Sequence, residues 1–342
     1  MKKIFQFIRM PEWYDSKIPM LLSILLYVFV LSPGSMEASR IVLLLSAFFL
    51  FCFFFFSFGY VINDVCDIDV DRKAGKQKLI VDIPNPIVGG IVVFLIIAGI
   101  LPLYWLSGFD WRVLSILLFN YLLGASYSLK PFRFKERGVT GLVISSSAQR
   151  CFPLLVLPFM ARIPLLLFVG WFVLSFLAGL RYILIHQYID YENDLRSGVK
   201  TFITQHRRLA AAAVYLCFGF ELSVMLLLLA PLVARYLWLA AVLLCYGLAA
   251  YSALFTVQKL MQQNAFLSYT YVPLEDCFNV VLPLMLAAQL AIEKKSWLLG
   301  LCLFCLTAYL APTIQRKASL IVLPFRVKFG LAGPESRKDS RA

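Results

Sequence analysis

A cluster of acidic residues follows an apolar stretch between residues 55 and 78. Asp64, Asp67 and Asp71 are spaced i, i+3 and i+7, so a continuous helix places their carboxylates on one face within about two turns. Asn63 lies four residues before Asp67 and adds an amide oxygen. Three like charges on one helix face repel one another unless a cation lies between them. Because carboxylate and amide oxygens are hard ligands, this spacing predicts a magnesium site.

A second acidic helix end occurs far along the chain, between residues 181 and 202. Asp190 and Asp194 are spaced i, i+4, His186 lies one turn before them, and Lys200 follows. Mg²⁺ takes few protein carboxylates and completes its coordination with water and substrate phosphates. Two acidic helix ends with flanking Lys and Arg side chains therefore predict a site that binds a diphosphate through magnesium.

Both motifs resemble the signatures of the UbiA family of intramembrane prenyltransferases, NDxxDxxxD and DxxxD. They read here as Asn63-Asp64-x-x-Asp67-x-x-x-Asp71 and Asp190-x-x-x-Asp194. A third segment is similar to the family's loop between its fourth and fifth helices: Tyr127 to Pro131, followed by Arg133, Lys135 and Gly138. Gly198 and Thr201 follow the second motif, as in many members of the family. This resemblance covers residues 10–205.

One segment departs from the family pattern. After the first motif the family commonly has Asn-x-Pro-x-Arg-Pro, whereas residues 73–80 read KAGKQKLI. The positive charge is kept and the prolines are lost. The resemblance therefore implies diphosphate binding but assigns no subfamily.

The resemblance also implies the roles of individual residues. Five carboxylates are implied to be catalytic and to hold Mg²⁺: Asp64, Asp67, Asp71, Asp190 and Asp194. Seven further side chains are implied to bind the substrate: Asn63, Lys76, Lys78, Tyr127, Lys130, Arg133 and Lys200. Lys130 and Arg133 are favoured among the bases because they lie in the matching loop.

Three polar residues within or near apolar stretches, His186, Arg150 and Arg181, are candidates for binding an acceptor, because charges inside a membrane are costly and usually functional or paired. His186 shares a face with Asp190 and is either a base for the acceptor or a packed, hydrogen-bonded histidine. Arg150 either binds an acidic acceptor or forms an ion pair with a structural acid.

The composition predicts a multi-pass membrane protein, because 61% of the 342 residues are hydrophobic and only 15% are charged. The expected fold is an all-α bundle of nine to ten transmembrane helices around a central cavity, forming a single domain over residues 1–329 with a disordered tail at 330–342. Ten apolar stretches are candidate spans: 18–31, 41–63, 87–106, 111–126, 139–160, 164–189, 209–232, 235–257, 278–292 and 297–314.

The basic residues predict the orientation of these spans. Lys and Arg outnumber Asp and Glu by 32 to 19, and they concentrate in alternate connections rather than in a nucleic-acid-binding patch. Because Lys and Arg accumulate on the cytoplasmic side, the amino terminus, both acidic motifs and the Tyr127 loop are expected to face the cytoplasm. The membrane is expected to be an inner or plasma membrane.

Three functions follow from these observations. The first is a Mg²⁺-dependent transfer of a polyprenyl group from its diphosphate to an aromatic or other lipophilic acceptor. The second is a terpene cyclase on the same scaffold, in which the allylic cation reacts within its own chain. The third is a cation transporter, which the clustering of acids at helix ends disfavours because transport sites lie near the bilayer midplane.

Overall fold

A computed structural model describes residues 2–32, 36–73, 78–198, 200–261 and 274–328, and these contain helices and no strand. Three short helices lie outside the bundle: α1 (Lys2–Phe7), which precedes it, and α8 (Tyr191–Ser197) and α9 (Phe202–Gln205), which lie between two of its helices. The bundle itself consists of α2 (Ile18–Leu31), α3 (Ala38–Lys73), α4 (Asn85–Leu106), α5 (Trp111–Ser128), α6 (Val139–Met160), α7 (Leu165–Ile189), α10 (Arg207–Arg235), α11 (Leu237–Met261), α12 (Leu274–Lys294) and α13 (Trp297–Lys328).

Each of the ten predicted apolar stretches coincides with one of these bundle helices. Seven of the described helices are long and apolar enough to cross a membrane: α3, α4, α6, α7, α10, α12 and α13. Two are shorter apolar helices, α2 and the described part of α11, and α5 has 18 residues. The prediction of an all-α, multi-pass membrane protein is confirmed.

Helix α2 forms the centre of the bundle. Its residues from Ile18 to Val30 are buried on every side, and it packs against α3 and α12. A helix that is apolar all round is expected in such a position. By contrast, only 28% of the apolar window of α4 and 17% of that of α13 are buried, so these helices present apolar side chains outward, as lipid-facing helices do.

The amino-terminal segment packs against α3. Trp13 is fully buried and packs on Phe53, Phe56 and Tyr60. Its indole nitrogen donates to the carbonyl of Ile8 at 2.9 Å. This packing turns the segment towards the polar end of α3.

The apolar part of α13 ends beside the start of α2. Asp15 accepts hydrogen bonds from Arg316 and, at 2.7 Å, from the hydroxyl of Thr313. The hydroxyl of Tyr309 also donates to the carbonyl of Tyr14.

A network of buried charges joins four helices in the interior. Arg181 of α7 donates to both carboxylate oxygens of Glu221 of α10, at 2.5 and 2.9 Å. Arg150 of α6 donates to Glu275 of α12 at 3.1 and 3.2 Å, and Glu275 lies 3.6 Å from Arg181. Asn279 also donates to Glu275 at 2.6 Å. Since each charge has an opposite charge beside it, the network fixes the relative positions of α6, α7, α10 and α12.

Removing one partner of the Arg181–Glu221 pair should destabilise the protein strongly, because the remaining charge stays buried without compensation. We expect Arg181→Met to lower the free energy of unfolding by about 3–5 kcal/mol. The midpoint of thermal unfolding in detergent measures this loss. The exposed Arg162→Met is the matched control. The double variant Arg181→Met, Glu221→Leu should recover part of the stability, and an Arg181→Met protein as stable as the control would contradict this role.

Candidate active site

Helix α3 runs without interruption through the whole first motif, as the spacing of its carboxylates predicts, and ends at Lys73. Asp64 is buried and accepts hydrogen bonds from Arg9 at 3.1 Å and from Lys78 at 2.9 Å. The same Lys78 ammonium lies 3.8 Å from the Asp71 carboxylate. Basic side chains from before and after α3 therefore neutralise this face of the helix.

Asp67 is held by the loop that follows α5. Its carboxylate accepts hydrogen bonds from both Lys135, at 2.6 Å to Oδ2, and Arg133, at 3.2 Å. Lys135 also donates to the amide oxygen of Asn63 at 3.2 Å, and that oxygen accepts a second hydrogen bond from Ser128 at 2.9 Å. The loop and the first motif thus share one hydrogen-bonded network.

A glycine allows this loop to lie close to α6. A Cβ atom added at Gly141 would lie 2.5 Å from the carbonyl oxygen of Phe134, which no side chain tolerates. Phe134 lies between Arg133 and Lys135, the two bases that contact Asp67. The glycine therefore lets the loop approach the helix and brings both bases to the motif.

The second motif lies at a break between two helices. Helix α7 ends at Ile189 and α8 begins at Tyr191, so Asp190 is the junction residue. The backbone amide of Asp194 still donates to the carbonyl of Asp190 at 2.9 Å, which keeps the two carboxylates one turn apart. His186 Nε2 lies 3.5 Å from Asp190 Oδ2, as their shared helix face predicts.

Gly198 and Thr201 follow the second motif, and they mark the end of one helix and the start of the next. Gly198 terminates α8 in the left-handed region, at φ +69°, where glycine carries no steric penalty. Thr201 caps α9 by accepting a hydrogen bond from the amide of Thr204 at 3.2 Å. Thr201 also lines the cavity described next.

Both motifs line one cavity of about 660 Å³. The first motif contributes Asn63, Asp67 and Asp71, and the second contributes His186, Asp190 and Asp194. Tyr127, Arg133 and Lys135 line it from α5 and the following loop, and Arg9, Glu12 and Lys17 from the amino-terminal segment. Its aromatic walls are formed by Phe55, Phe56, Tyr60 and Tyr182. The cavity is polar at the helix ends and aromatic towards the bundle interior.

Several predicted site residues lie elsewhere. Asp64 and Lys78 contact one another and do not line the cavity, and Lys130 and Lys200 are exposed and do not line it either. Lys76 lies outside the described residues. The four described side chains, Asp64, Lys78, Lys130 and Lys200, are not among the residues that line the cavity.

Arg150 forms an ion pair with a structural acid, which is the second of the two alternatives given for it from the sequence. It is 1% exposed, pairs with Glu275, and packs over the ring of Tyr182 at 5.8 Å. Tyr182 rather than Arg150 borders the cavity. The partner Glu275 lies 125 residues away in the sequence, so no local sequence pattern predicts this ion pair.

The cavity contains residues that sequence reasoning did not select. Arg9 and Lys17 come from the segment before α2 and line the cavity. Lys135 is two residues from the predicted Arg133 and follows the same loop pattern. Tyr60 lies one helical turn before Asp64 and therefore on the same helix face. This spacing is the sequence feature from which its place in the cavity could have been predicted.

The residues present fit a magnesium ion. The described residues contain no ready-made cluster of three His, Cys, Asp or Glu side chains at metal-binding distance. Mg²⁺ needs only one or two carboxylates when substrate phosphates complete its shell, and two acidic motifs border the same cavity. The bases that pair with Asp67 at present are themselves suitable partners for phosphate oxygens. The site therefore suits a ligand with an anionic head and an apolar body.

Three solved structures share this fold. One, of digeranylgeranylglyceryl phosphate synthase, is 16% identical, with a TM-score of 0.56, and the match covers 86% of this chain and 100% of that one. A UbiA homologue from Archaeoglobus fulgidus, bound to GPP and Mg²⁺, is 17% identical with a TM-score of 0.52, over 84% and 99% of the two chains. The same homologue bound to DMAPP and Mg²⁺ has a TM-score of 0.53 at 15% identity, over 84% and 99%.

No curated protein sequence matches the chain. A model of the UbiA prenyltransferase family matches residues 20–272, which include both acidic motifs and the loop between them. This match spans most of the 342 residues, and it continues to residue 272, past residue 205, where the resemblance of the motifs ends. The chain therefore belongs to the UbiA prenyltransferase family.

Proposed function

We propose that this protein is a Mg²⁺-dependent prenyltransferase that moves a polyprenyl group from its diphosphate to a lipophilic acceptor within the membrane. The observation that carries this proposal is the convergence of two acidic motifs and two loop bases on one cavity with aromatic walls. A prenyl diphosphate has a charged head and an apolar tail, and the cavity has the matching two halves. The related structures from Archaeoglobus fulgidus, which hold GPP or DMAPP with Mg²⁺, support the same assignment.

Four carboxylates at the cavity would hold the metal: Asp67 and Asp71 from α3, and Asp190 and Asp194 from the α7–α8 junction. When bound, Mg²⁺ would neutralise the negative charge that grows on the diphosphate as the allylic carbon–oxygen bond breaks. Asp64 would act through Arg9 and Lys78, which it holds beside the motif. Asn63 would orient Lys135 by accepting its hydrogen bond.

Lys135 and Arg133 would bind the diphosphate head directly. Both contact Asp67 and line the cavity, so an incoming phosphate oxygen meets them beside the carboxylate they already neutralise. Although burial lowers the pKa of Arg133, hydrogen bonding to Glu136 and the charges of Glu136 and Asp67 raise it overall, so the guanidinium stays charged. Tyr127 borders the same region and would donate a hydrogen bond to the diphosphate.

The aromatic walls would protect the allylic cation. Phe56, Tyr60 and Tyr182 line the cavity away from the carboxylates. A cation over a desolvated aromatic face gains about 2 kcal/mol. These rings also exclude water, which would otherwise capture the cation before an acceptor does.

The remaining features of the proposal concern the protein as a whole. Residues 1–329 would form one catalytic domain; the tail at 330–342 lies outside the described residues. The polar end of the bundle, with the cavity, would face the cytoplasm of an inner or plasma membrane, following the distribution of Lys and Arg. Cyclisation remains the alternative chemistry for this scaffold, and the mass of the product distinguishes it from transfer.

Purified protein should release pyrophosphate from prenyl diphosphates only when Mg²⁺ is present. The double variant Asp67→Ala, Asp190→Ala should abolish release, because it removes a carboxylate from each side of the cavity. Pyrophosphate release across donors of different chain length measures this. Mass spectrometry of the extracted lipids, with and without aromatic acceptors, then separates transfer from cyclisation.

The matched control is Asp69→Ala, Glu192→Ala. These acids belong to the same two segments but are exposed and do not border the cavity. The control should keep most of the activity. Equal losses in both double variants would contradict the proposed site, and a folded wild-type protein that releases no pyrophosphate from any donor would overturn the proposed function.

The two lysines of the loop should differ in importance. Lys135 contacts Asp67 and borders the cavity, whereas Lys130 is exposed. Losing a hydrogen bond to a charged group costs about 1.5–3 kcal/mol, so Lys135→Met should lower kcat/KM for the donor by roughly 10- to 100-fold. Lys130→Met should change it by less than about threefold. A larger loss in Lys130→Met than in Lys135→Met would contradict the assignment.

A further inference from the structure

Lys17 is a buried basic residue of the cavity without an acidic partner among the residues that the structure describes. It precedes α2, is 4% exposed and lines the cavity. Arg9, Arg133 and Lys135 each pair with a carboxylate, but no carboxylate among the described residues is in ion-pair contact with Lys17. Its Nζ instead donates to the hydroxyl of Tyr60 at 3.1 Å. A buried ammonium without a counter-ion is costly, so this lysine is either uncharged or compensated by a ligand.

The surroundings of Lys17 favour its uncharged form. Its Nζ lies 4.7 Å from the centre of the Tyr60 ring and 5.4 Å from that of Phe56. Burial, followed by the positive charges of Arg150 and Arg9, lowers the pKa of Lys17 to about 7, although the charge of Glu12 opposes this. A substantial fraction of the side chain is therefore a free amine near neutral pH, and a free amine accepts protons.

Transfer to an acceptor requires such a group. A hydroxyl acceptor must lose a proton when it forms its bond to the prenyl group. The carboxylates of the two motifs are committed to the metal and the bases, and His186 contacts Asp190. Lys17 is separate from these residues and faces the aromatic part of the cavity. Lys17 is therefore a base available to an acceptor that lies against Phe56 and Tyr60.

We propose that Lys17 is a catalytic base that takes the proton of an acidic hydroxyl, of the phenol or enol class, on the acceptor. This inference rests on the proposed prenyl transfer. The hydroxyl proton moves to the Nζ lone pair, and an electron pair of the resulting phenolate or enolate forms the bond to the allylic carbon. The allylic carbon–oxygen bond breaks, and its electron pair leaves with the diphosphate. The ammonium of Lys17 afterwards returns its proton to solvent.

The lowered pKa of Lys17 indicates that the hydroxyl of the acceptor should be acidic. Proton transfer is efficient when the pKa values of donor and acceptor are close, so an amine with a lowered pKa suits a phenol or enol better than an ordinary alcohol. The phenolate or enolate also becomes the counter-ion that the Lys17 ammonium lacks in the protein itself. The site thereby stabilises the ion pair formed by proton transfer.

The first test uses 4-nitrophenol, whose phenolate absorbs visible light while the neutral phenol does not. Below the pH at which free 4-nitrophenol ionises, wild-type protein should bind it as the phenolate and develop the visible band. Lys17→Met, which keeps the length of the side chain and removes the amine, should abolish the band. Lys295→Met replaces an exposed lysine between α12 and α13 and should leave it unchanged. Absence of a Lys17-dependent band at saturating 4-nitrophenol would overturn the inference.

The second test separates proton transfer from ionisation of the donor. With a phenolic acceptor, kcat/KM for transfer should fall as the pH drops below about 7, because protonation removes the free amine. Lys17→Met and Lys17→Arg should both lose about 10²- to 10⁴-fold in transfer. Both should still release pyrophosphate when no acceptor is added, since Lys17 does not contact the diphosphate-binding residues.

Tyr60→Phe keeps the lysine and removes the hydroxyl that accepts its hydrogen bond. Because that hydrogen bond stabilises the ammonium, the acidic limb of the pH profile should move to lower pH in this variant. Normal transfer by Lys17→Met with an unchanged pH profile would overturn the role of Lys17 while leaving the prenyltransferase proposal intact. Loss of pyrophosphate release by wild-type protein would instead overturn the proposed function itself.

Discussion

Charge compensation inside an apolar bundle is the constraint on which this structure depends. An isolated charge in such surroundings costs several kcal/mol, so each buried acid needs a nearby base or a ligand. The protein meets this need at two depths. In the interior, Arg150 and Arg181 pair with Glu275 and Glu221. At the polar end, bases from separate segments pair with the carboxylates of α3.

The two sets of pairs have different consequences. The interior pairs are nearly inaccessible and join helices, so they serve the architecture. The pairs at the polar end border a cavity, and their partners come from a loop and from the amino-terminal segment rather than from facing helices. Bases held in this way can exchange a carboxylate for a phosphate oxygen without unpacking the bundle. Charge compensation therefore joins helices in the interior and holds basic side chains beside the cavity at the polar end.

The amino-terminal segment links the two ends of this arrangement. Trp13 packs on α3, Arg9 reaches Asp64, and Asp15 holds the end of the apolar part of α13. Helix α2 then leaves this segment directly into the centre of the bundle. Because the segment is fastened at both the first motif and α13, Lys17 is carried into the cavity wall, where the proposed donor and acceptor sites meet.

The amino-acid sequence by itself determined the features that depend on short-range periodicity. The spacing of Asp64, Asp67 and Asp71 predicts a helix face, and α3 indeed runs through all three. The ten apolar stretches predict the ten bundle helices, and the two acidic motifs predict the family, which the family match confirms. Only the tertiary structure decided the partners. Lys135 meets Asp67 across 68 residues, Arg150 meets Glu275 across 125, and the burial of Lys17 depends on α3. Helical periods repeat every few residues and carry no information about which distant segment packs alongside, because that choice is made by the packing and charge balance of the whole bundle.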